Sequence, residues 1–433
     1  MLTGDEHMGN KLSRQALGQG ISFSNIQDNR FKTNRLSVNM ILPLTSDTVS
    51  SNALLPFVLR KGSSDYPDFT KLNERLNELY GAIIEADVYK IGEAQVLSLA
   101  VQFIDDRYAL EGEPVAAECA KLLCGMLLSP PLENGHFRQS ELELERKNLV
   151  DLIDSELNEK RIYAINRMEA LMCEGENYAL GRYGDRDGAA QVDADSLMAA
   201  YNRAVHDAQI EIMLLGPGDA GAVMPVFKQA FAGVERGEEV SIPTEVMGTV
   251  VTPRQFVERL DVSQAKLVMG FRTDVVAPSG AWLAMSLMNT LYGGSPHSKL
   301  FANVREKLSL CYYCASRYDK QKGILIVDSG IEEKNFETTK EEIMQQLHEV
   351  RAGNFTDEEL AAAKLSLHNR YLSFADSLRQ LEMYYLGQIR VGADASPEDE
   401  AAHIEAINRE QVVEAAQRIS LDTIYLLTGK EEA

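Results

Sequence analysis

The side chains that could bind a metal or move a proton are sparse in this chain, and their spacing does not build a complete site. A metal-dependent hydrolase of the common types needs two helix-borne histidines with a nearby glutamate, as in H-x-x-E-H or H-E-x-x-H. No histidine pair here has either spacing, or the spacing H-x₃-H. We interpret all seven as isolated surface or helix-face residues: His7, His136, His206, His297, His348, His368 and His403.

The five cysteines include one C-x-x-C pair, Cys311 and Cys314, within the run LCYYCASRY. A redox or zinc-knuckle role would require a turn between the two cysteines or a second such pair, and the sequence has neither. The run is apolar and aromatic, which predicts a β-strand. We therefore interpret the pair as two unrelated cysteines on a strand. The odd cysteine count favours a reducing compartment.

Composition and charge limit the classes of partner. The chain has 433 residues, of which 45% are hydrophobic and 25% charged, as in a globular protein of more than one domain. Its net charge of −22 argues against nucleic acid, because phosphate binding requires a basic face. No apolar run of ~18 residues predicts a membrane span, and the polar N-terminus lacks a secretory signal. We expect a cytoplasmic protein.

The elements that must position any site follow one order, which the chain presents twice. Apolar residues recur with period 2 in the predicted strands and period 3.6 in the predicted helices. In the first half the strands are predicted at 35–44, 82–90, 95–104 and 210–216, and the helices at 51–60, 70–81, 113–128, 137–172 and 192–205. In the second half the strands are predicted at 266–273, 310–329 and 423–429, and the helices at 281–294, 335–352, 355–389 and 408–419.

Short similar stretches support an internal repeat. FRQSELE and FTDEELA begin the two long helical stretches, and IMLLG and YLLTG lie in the two terminal strands. The sequence therefore predicts two homologous α+β halves, residues 1–235 and 256–433. Between them, the Gly- and Pro-bearing segment 236–255 is predicted to be an exposed tether.

One 26-residue frame in the second half, MNTLYGGSPHSKLFANVREKLSLCYY, resembles a signature of the insulinase-like (pitrilysin) zinc peptidases. The resemblance covers essentially the whole chain. It implies two repeats, each a mostly antiparallel sheet backed by helices, arranged as a clam-shell around a peptide. It also implies that Arg305 and Tyr312 contact substrate, since a guanidinium and a phenol both donate hydrogen bonds to a carbonyl or oxyanion.

The corresponding zinc motif is absent from the first half. Anchoring the family pattern on the Lys-Gly-Ser end of ALLPFVLRKGS places Ala53 and Phe57 at the two histidine positions and Pro56 at the general base. The frame ERKNLVDLID places Leu152 at the third ligand. Its acidic neighbours, Asp151, Asp154 and Glu156, leave that register open by one residue. None of the four side chains offers zinc a lone pair, so we expect no metal in this chain and expect these positions to pack as core.

The resemblance also suggests a partner. Small members of the family pair two chains of this length, and one chain can supply zinc while the other supplies the arginine and tyrosine. ALLPFVL, LNELYGA and EADV are similar to the YmfF group of non-catalytic homologues, which is associated with 5-aminopentanol modification of elongation factor P. We therefore expect a zinc-bearing homologous subunit and a peptide or protein substrate. Two alternatives stay open: a non-enzymatic peptide-binding or assembly module, and a self-sufficient enzyme with an unrelated site.

The predicted strand AIIEADVYK (82–90) resembles the family's edge strand, on which an extended peptide adds by backbone pairing. The family's usual asparagine is replaced by Glu85. That carboxylate would either select a basic substrate or lie on a solvent-exposed face.

Overall fold

The computed structural model describes residues 11–238, 240–248, 250 and 252–430, so His7 lies outside the described residues. The strands of the first half are β1 Leu12–Gly18, β2 Ile21–Gln27, β3 Thr33–Pro43, β4 Ile83–Ile91, β5 Ala94–Ile104, β6 Leu132–Glu133, β7 His136–Phe137 and β8 Gln209–Gly216. Its helices are α1 Val49–Leu59, α2 Phe69–Glu78, α3 Val115–Leu128, α4 Gln139–Asn158, α5 Lys160–Met172, α6 Arg186–Gln191, α7 Ala194–His206 and α8 Ala220–Phe231.

The second half has fewer strands in the same order. They are β9 Arg254–Arg259, β10 Ala265–Arg272, β11 Cys311–Asp319, β12 Ile324–Ile331 and β13 Ser420–Thr428. Its α-helices are α9 Trp282–Tyr292, α10 Phe336–Arg351, α11 Asp357–Ser373, α12 Leu378–Arg390, α13 Pro397–Glu405 and α14 Arg409–Gln417. A π-helical segment, Leu300–Lys307, precedes β11.

The two main sheets have one topology. The first has the order β1-β2-β8-β3-β5-β4, and the second has the order β9-β13-β10-β12-β11. In each, the strand that ends the half pairs in parallel with one neighbour (β2 with β8, β9 with β13), while the other pairs are antiparallel. The equivalence of β2–β5 and β8 with β9–β13 confirms the predicted α+β class and its two mostly antiparallel repeats.

Helix starts follow local capping chemistry. Asp193, Thr356 and Asn408 are N-caps whose side chains accept hydrogen bonds from backbone N–H groups three residues later. In each case the third residue also bonds back to the cap, which forms a capping box. These caps confirm the helix starts predicted from VDAD, FTDEE and NREQ.

Both long helical stretches are interrupted, and the helix that follows each interruption packs on the sheet of the other half. α4 ends before Glu159, whose side chain caps α5, and α11 is separated from α12 by the cap Ser377. α5 then packs on the second sheet, where a Cβ on Gly270 would lie only 2.5 Å from the Met172 sulfur. α12 packs on β3 and β8 of the first sheet. Each half thus covers the other's sheet with one helix.

Apolar and charged contacts close the halves on each other. One core cluster contains Ile41 and Leu215 from the first sheet together with Leu386 from α12. The fully buried Glu382 carboxylate, also on α12, accepts hydrogen bonds from Arg35 and from Ser37 on β3. Buried charges of this kind require good partners, because leaving one unpaired costs several kcal/mol.

Most described residues of the segment between the halves are exposed, but hydrogen bonds fix its backbone to the rest of the chain. Ile242 is buried, and its carbonyl oxygen accepts a hydrogen bond from Arg390 at 2.7 Å. The Glu245 carbonyl oxygen accepts one from the buried Lys322 ammonium at 2.5 Å. The first half contributes as well, since Gln209 donates to the Val240 carbonyl oxygen at 3.0 Å. An irregular backbone lying on a protein surface still needs hydrogen-bond partners, and both halves supply them here.

Every helix of the described residues is either too short or too polar to span a bilayer.

Candidate functional site

Arg305 and Tyr312 lie on consecutive elements at one corner of the second half. The π-helical segment is anchored by Leu300 and Val304, both with no exposed surface, and Arg305 follows directly after Val304. The chain reverses at Ser309, which has a positive φ of 51°, and the Leu310 N–H bonds to the Val304 carbonyl oxygen at 3.1 Å. This tight return places the start of β11 against the π-helical segment.

Arg305 is available for an external partner. Its side chain is 41% exposed and its guanidinium lies over the Phe301 ring, 4.7 Å from the centroid. Among the described residues, the one carboxylate within ion-pair distance belongs to the next residue, Glu306, at 3.5 Å. Adjacent helix residues do not face each other, so this pairing holds the guanidinium weakly.

Tyr312 is displayed by an irregularity in β11. The pairing register shifts between Cys311 and Tyr313 on this edge strand, which leaves Tyr312 as the extra residue of a β-bulge. The Tyr312 side chain is 65% exposed, and it borders a crevice of about 280 Å³ formed with the 262–265 turn and Gly429. Within the described part of the chain, no hydrogen bond engages its hydroxyl. Bulges often re-aim a side chain in this way.

The two side chains together offer donors and no acceptor of comparable strength. A guanidinium presents several N–H groups in a planar fork, and a neutral phenol presents one O–H. Such donors can hold a peptide carbonyl or stabilise a developing oxyanion, but they cannot activate water. Any hydrolysis at this corner would require a base and an electrophile from elsewhere.

The four positions aligned with the zinc site do not form one. Ala53 has no exposed surface and Pro56 is buried, both inside α1, while Phe57 is half-buried. Zinc takes nitrogen, oxygen or sulfur ligands, and these three side chains have none. Across the described residues, no group of three or more His, Cys, Asp or Glu side chains is arranged to hold a metal ion. The residues present therefore do not fit zinc.

The fourth position differs from the expectation. Leu152 is 36% exposed, so the prediction that it packs as core is wrong: it lies on the solvent face of α4. Its acidic neighbours are paired with nearby cations, Asp151 with Lys147 and Asp154 with Arg186. The structure keeps the Ala53 frame and the Arg305–Tyr312 corner in separate halves.

A buried ion pair beside the degenerate frame is not evident from the sequence. Glu145 on α4 is 1% exposed, and its carboxylate lies 2.5 Å from the Lys61 ammonium and 3.7 Å from the Arg60 guanidinium. Arg60 also lies over the Phe57 ring, 5.5 Å from its centroid. The basic Arg-Lys end of the α1 frame thus has a structural role. In the sequence, Glu145 is the first residue of the ERKNLVDLID frame, and nothing there identifies Lys61 as its partner.

The predicted edge strand is β4, the terminal strand of the first sheet. Glu85 accepts a hydrogen bond from the buried Arg35 guanidinium at 2.7 Å, and Asp87 accepts one from Arg379 of α12. Both carboxylates are therefore neutralised within the chain. This pairing favours neither of the two roles considered for Glu85, since its charge is already engaged.

Comparisons with known proteins identify the family of this chain. A family model described as "Peptidase M16 inactive domain" matches residues 191–367. A Bacillus subtilis (strain 168) protein described as "Probable inactive metalloprotease YmfF" is 33% identical over 414 residues, covering 96% of this chain and 97% of the relative.

Solved structures show the same fold. A conserved protein from Enterococcus faecalis V583 has a TM-score of 0.90 at 28% identity, covering 98% of this chain and all of that chain. A Pseudomonas fluorescens structure described as a peptidase M16 inactive domain has a TM-score of 0.77 at 16% identity, covering 97% and 98% of the two chains. The chain belongs to the M16 (insulinase-like) peptidase family as an inactive metalloprotease homologue, which confirms the predicted resemblance.

Proposed function

We propose that this M16-family chain is the substrate-engaging subunit of a heterodimeric zinc peptidase. In this proposal a homologous partner chain supplies the zinc ion and the general base, and this chain supplies Arg305 and Tyr312. The observation that carries the proposal is the exposure of both side chains without a strong partner in the chain. An arginine and a tyrosine kept for structure alone would be expected to have buried, satisfied hydrogen bonds.

In the proposed mechanism the two subunits supply different catalytic groups. The Arg305 guanidinium would hold a substrate carbonyl by two parallel N–H groups, and the Tyr312 phenol would donate to the oxygen on which negative charge develops. Neither group needs to change its protonation state. Attack by water would depend entirely on the partner's metal and base.

Three further parts of the proposal rest on the family resemblance. The substrate is a peptide or protein, the partner is a zinc-bearing homologue, and the physiological setting is the modification of elongation factor P, as for the YmfF group. A cytoplasmic location belongs to the same proposal, since the described cysteines are all free thiols.

The test is reconstitution with a zinc-bearing homologue whose H-x-x-E-H motif is intact. Arg305→Ala and Tyr312→Phe should each lower peptide hydrolysis by the mixed complex by ~10²–10³-fold, the usual effect of removing one oxyanion donor. The loss should lie in kcat if the contacts tighten in the transition state, and in KM if they only hold bound substrate. Arg418→Ala, at a site with 43% side-chain exposure, and Tyr108→Phe, at an exposed tyrosine, are matched controls that should leave activity unchanged.

The alternative function is a non-enzymatic peptide-binding or assembly module. It predicts that both variants retain full activity in the complex, while partner binding, measured by sedimentation, stays intact. That outcome would contradict the proposed role of the pair. Activity of the isolated chain, which the proposal does not allow, would favour the self-sufficient enzyme.

A further inference from the structure

The two cysteines that flank the bulge lie on one face of β11. On a regular strand, side chains alternate between faces, so residues three apart point in opposite directions. Here Cys311 lies opposite Ile331, Tyr313 opposite Gly330 and Cys314 opposite Ser329. The extra residue, Tyr312, shifts the alternation by one position. The bulge therefore does what a turn does in other C-x-x-C motifs and returns both thiols to the same side.

The surroundings of the two thiols support this placement. Cys314 is 4% exposed and belongs to the core cluster beneath the second sheet, and the half-buried Cys311 packs against the same cluster. Cys311 is thus open to small reagents, whereas Cys314 is reached only through it. This is the arrangement of an attacking thiol and a resolving thiol.

The chemical state of Cys311 differs from that of the other cysteines. Interactions with the Cys314 thiol, the Ser329 hydroxyl and the Arg305 guanidinium together lower the pKa of Cys311 to about 7, although its burial opposes the shift. Burial instead raises the pKa values of Cys119, Cys124 and Cys173 to about 12. The thiolate is the nucleophile in disulfide exchange, so Cys311 is the reactive cysteine of the described chain.

We propose that Cys311 and Cys314 form a reversible disulfide across the bulge that displays Tyr312, with a low-molecular-weight disulfide as the oxidant. The Cys311 thiolate attacks one sulfur of the oxidant, forming a mixed disulfide and releasing one thiolate. The Cys314 thiol then loses its proton and attacks the Cys311 sulfur, which releases the second thiol. Two protein thiols are oxidised and one small disulfide is reduced to two thiols.

The modification would act on the corner that carries Arg305 and Tyr312. A bond between the two sulfurs fixes the bulge in one conformation, and it removes the Cys311 thiolate that interacts electrostatically with the Arg305 guanidinium. Both changes alter how the two donors are presented. The disulfide itself is independent of the proposed peptidase role, because its formation is measured on the isolated chain without substrate or partner.

The test uses the full-length reduced protein and oxidised glutathione. We expect the wild type to lose two hydrogen atoms in mass, with the bond mapped to the peptide that contains both cysteines, and to regain them with dithiothreitol. Cys314→Ala should stop at one glutathione on Cys311, and Cys311→Ser should not react. The rate of alkylation of Cys311 should rise with pH around a midpoint of about 7.

Several results would overturn the proposal. They are a wild-type protein that remains reduced, one that retains glutathione on Cys311 without resolution, and one whose bond includes another cysteine. Circular dichroism of each variant separates loss of folding from loss of chemistry. Cys124→Ser, at a buried thiol far from β11 in sequence, is the matched control and should oxidise as the wild type does.

Discussion

Ala53 in α1 has no exposed surface, whereas Tyr312 on β11 leaves 65% of its surface in solvent. These residues belong to the two regions that the sequence prediction singled out, and the two regions differ in polarity and burial. At the predicted zinc-site positions of α1 the side chains are apolar and buried or half-buried. Arg305 and Tyr312 are polar and exposed.

The difference follows from what an unused polar group costs in each place. A histidine or carboxylate left in a buried pocket without its metal is desolvated and unpaired, which costs several kcal/mol. An exposed arginine or tyrosine keeps its water and costs almost nothing. A site without a metal should therefore be apolar where it is buried, whereas an exposed site can keep polar side chains at little cost. Reconstitution with a zinc-bearing homologue separates use of Arg305 and Tyr312 from neutrality.

The largest expected effect tests how completely the first region has become core. Restoring the motif with Ala53→His, Pro56→Glu and Phe57→His should destabilise the protein by roughly 5 kcal/mol, because larger polar groups enter a packed site. We also expect no stoichiometric zinc in the isolated triple variant or in the wild type. Chemical denaturation and elemental analysis measure the two quantities.

Leu152→Glu is the matched control for that experiment. It adds a carboxylate at the fourth position of the same degenerate site, but at a residue that is 36% exposed. Its effect should stay within about 0.5 kcal/mol. A triple variant that folds as stably as the wild type, or binds zinc tightly, would show that the comparison overstates the remodelling.

The second prediction concerns the buried ion pair beside α1. Lys61→Met should destabilise the protein by about 3–5 kcal/mol, because Glu145 keeps only the more distant Arg60 as a partner. Lys61→Met combined with Glu145→Met should recover most of that loss, since replacing both charges by apolar groups is often neutral. Urea denaturation of the single and double variants measures the coupling. Additive losses would mean that the pair does not act as a unit.

The sequence predicted the elements of both regions better than their environments. The strand prediction 95–104 matches β5 at Ala94–Ile104, and the helix prediction 51–60 matches α1 at Val49–Leu59, because both segments are rich in apolar residues and almost wholly buried. The polar edge strand β1 was missed, since its side chains are mostly exposed and leave no apolar pattern. α8 and α13 were missed as well. The two long helical stretches were predicted unbroken, because the caps Glu159 and Ser377 stand inside continuous helix-favouring sequence.

The elements around the candidate residues were predicted in part. The sequence predicted Ala53 in a helix and Tyr312 in a strand, and the structure places them there, but it predicted no element over 300–307, which holds Arg305. The bulge at Tyr312 has no sequence signature, so nothing in the sequence indicated that Cys311 and Cys314 share a face. The exposure of Leu152 depends on which face of α4 meets α1. The sequence did not predict it, because the position aligned with the family's glutamate was fixed only to within one residue.

The third prediction concerns a buried charge in the second half, the Lys320 ammonium, whose desolvation should destabilise the fold. Burial lowers the pKa of Lys320 to about 8, and the nearby Glu400 and Asp319 offset this only in part. Because the free lysine pKa is about 10.4, the unfolded chain binds more protons between these two values, so stability should rise with pH through that window. Lys320→Met should therefore stabilise the protein by about 1–2 kcal/mol below pH 8, after allowance for partial exposure and the lost contact with Trp282.

That gain should shrink as pH increases and vanish above about pH 10.5, where the lysine is neutral in both states. Lys322→Met is the contrasting control. The Lys322 ammonium is buried between the Glu93 and Glu176 carboxylates, at 2.5 and 2.7 Å, so its removal should destabilise the protein. Thermal unfolding across pH 6 to 10 measures both variants. A Lys320→Met gain that does not depend on pH would assign the effect to packing instead of charge.

The smallest expected effect tests the exposed region directly. Arg305→Ala and Tyr312→Phe should each change the free energy of unfolding by no more than about 0.5 kcal/mol, because both side chains are largely solvated and neither completes a buried hydrogen bond. Tyr312→Phe removes only the hydroxyl, so the ring keeps its contacts along the crevice. Arg305→Ala also removes the stacking on Phe301, which contributes about 0.5 kcal/mol at an exposed site, so its loss should lie at the upper end of that limit. Denaturation of the isolated chain measures this quantity without any partner. A loss of about 2 kcal/mol or more from either variant would mean that the side chain serves the fold, and the fold alone would then explain its presence.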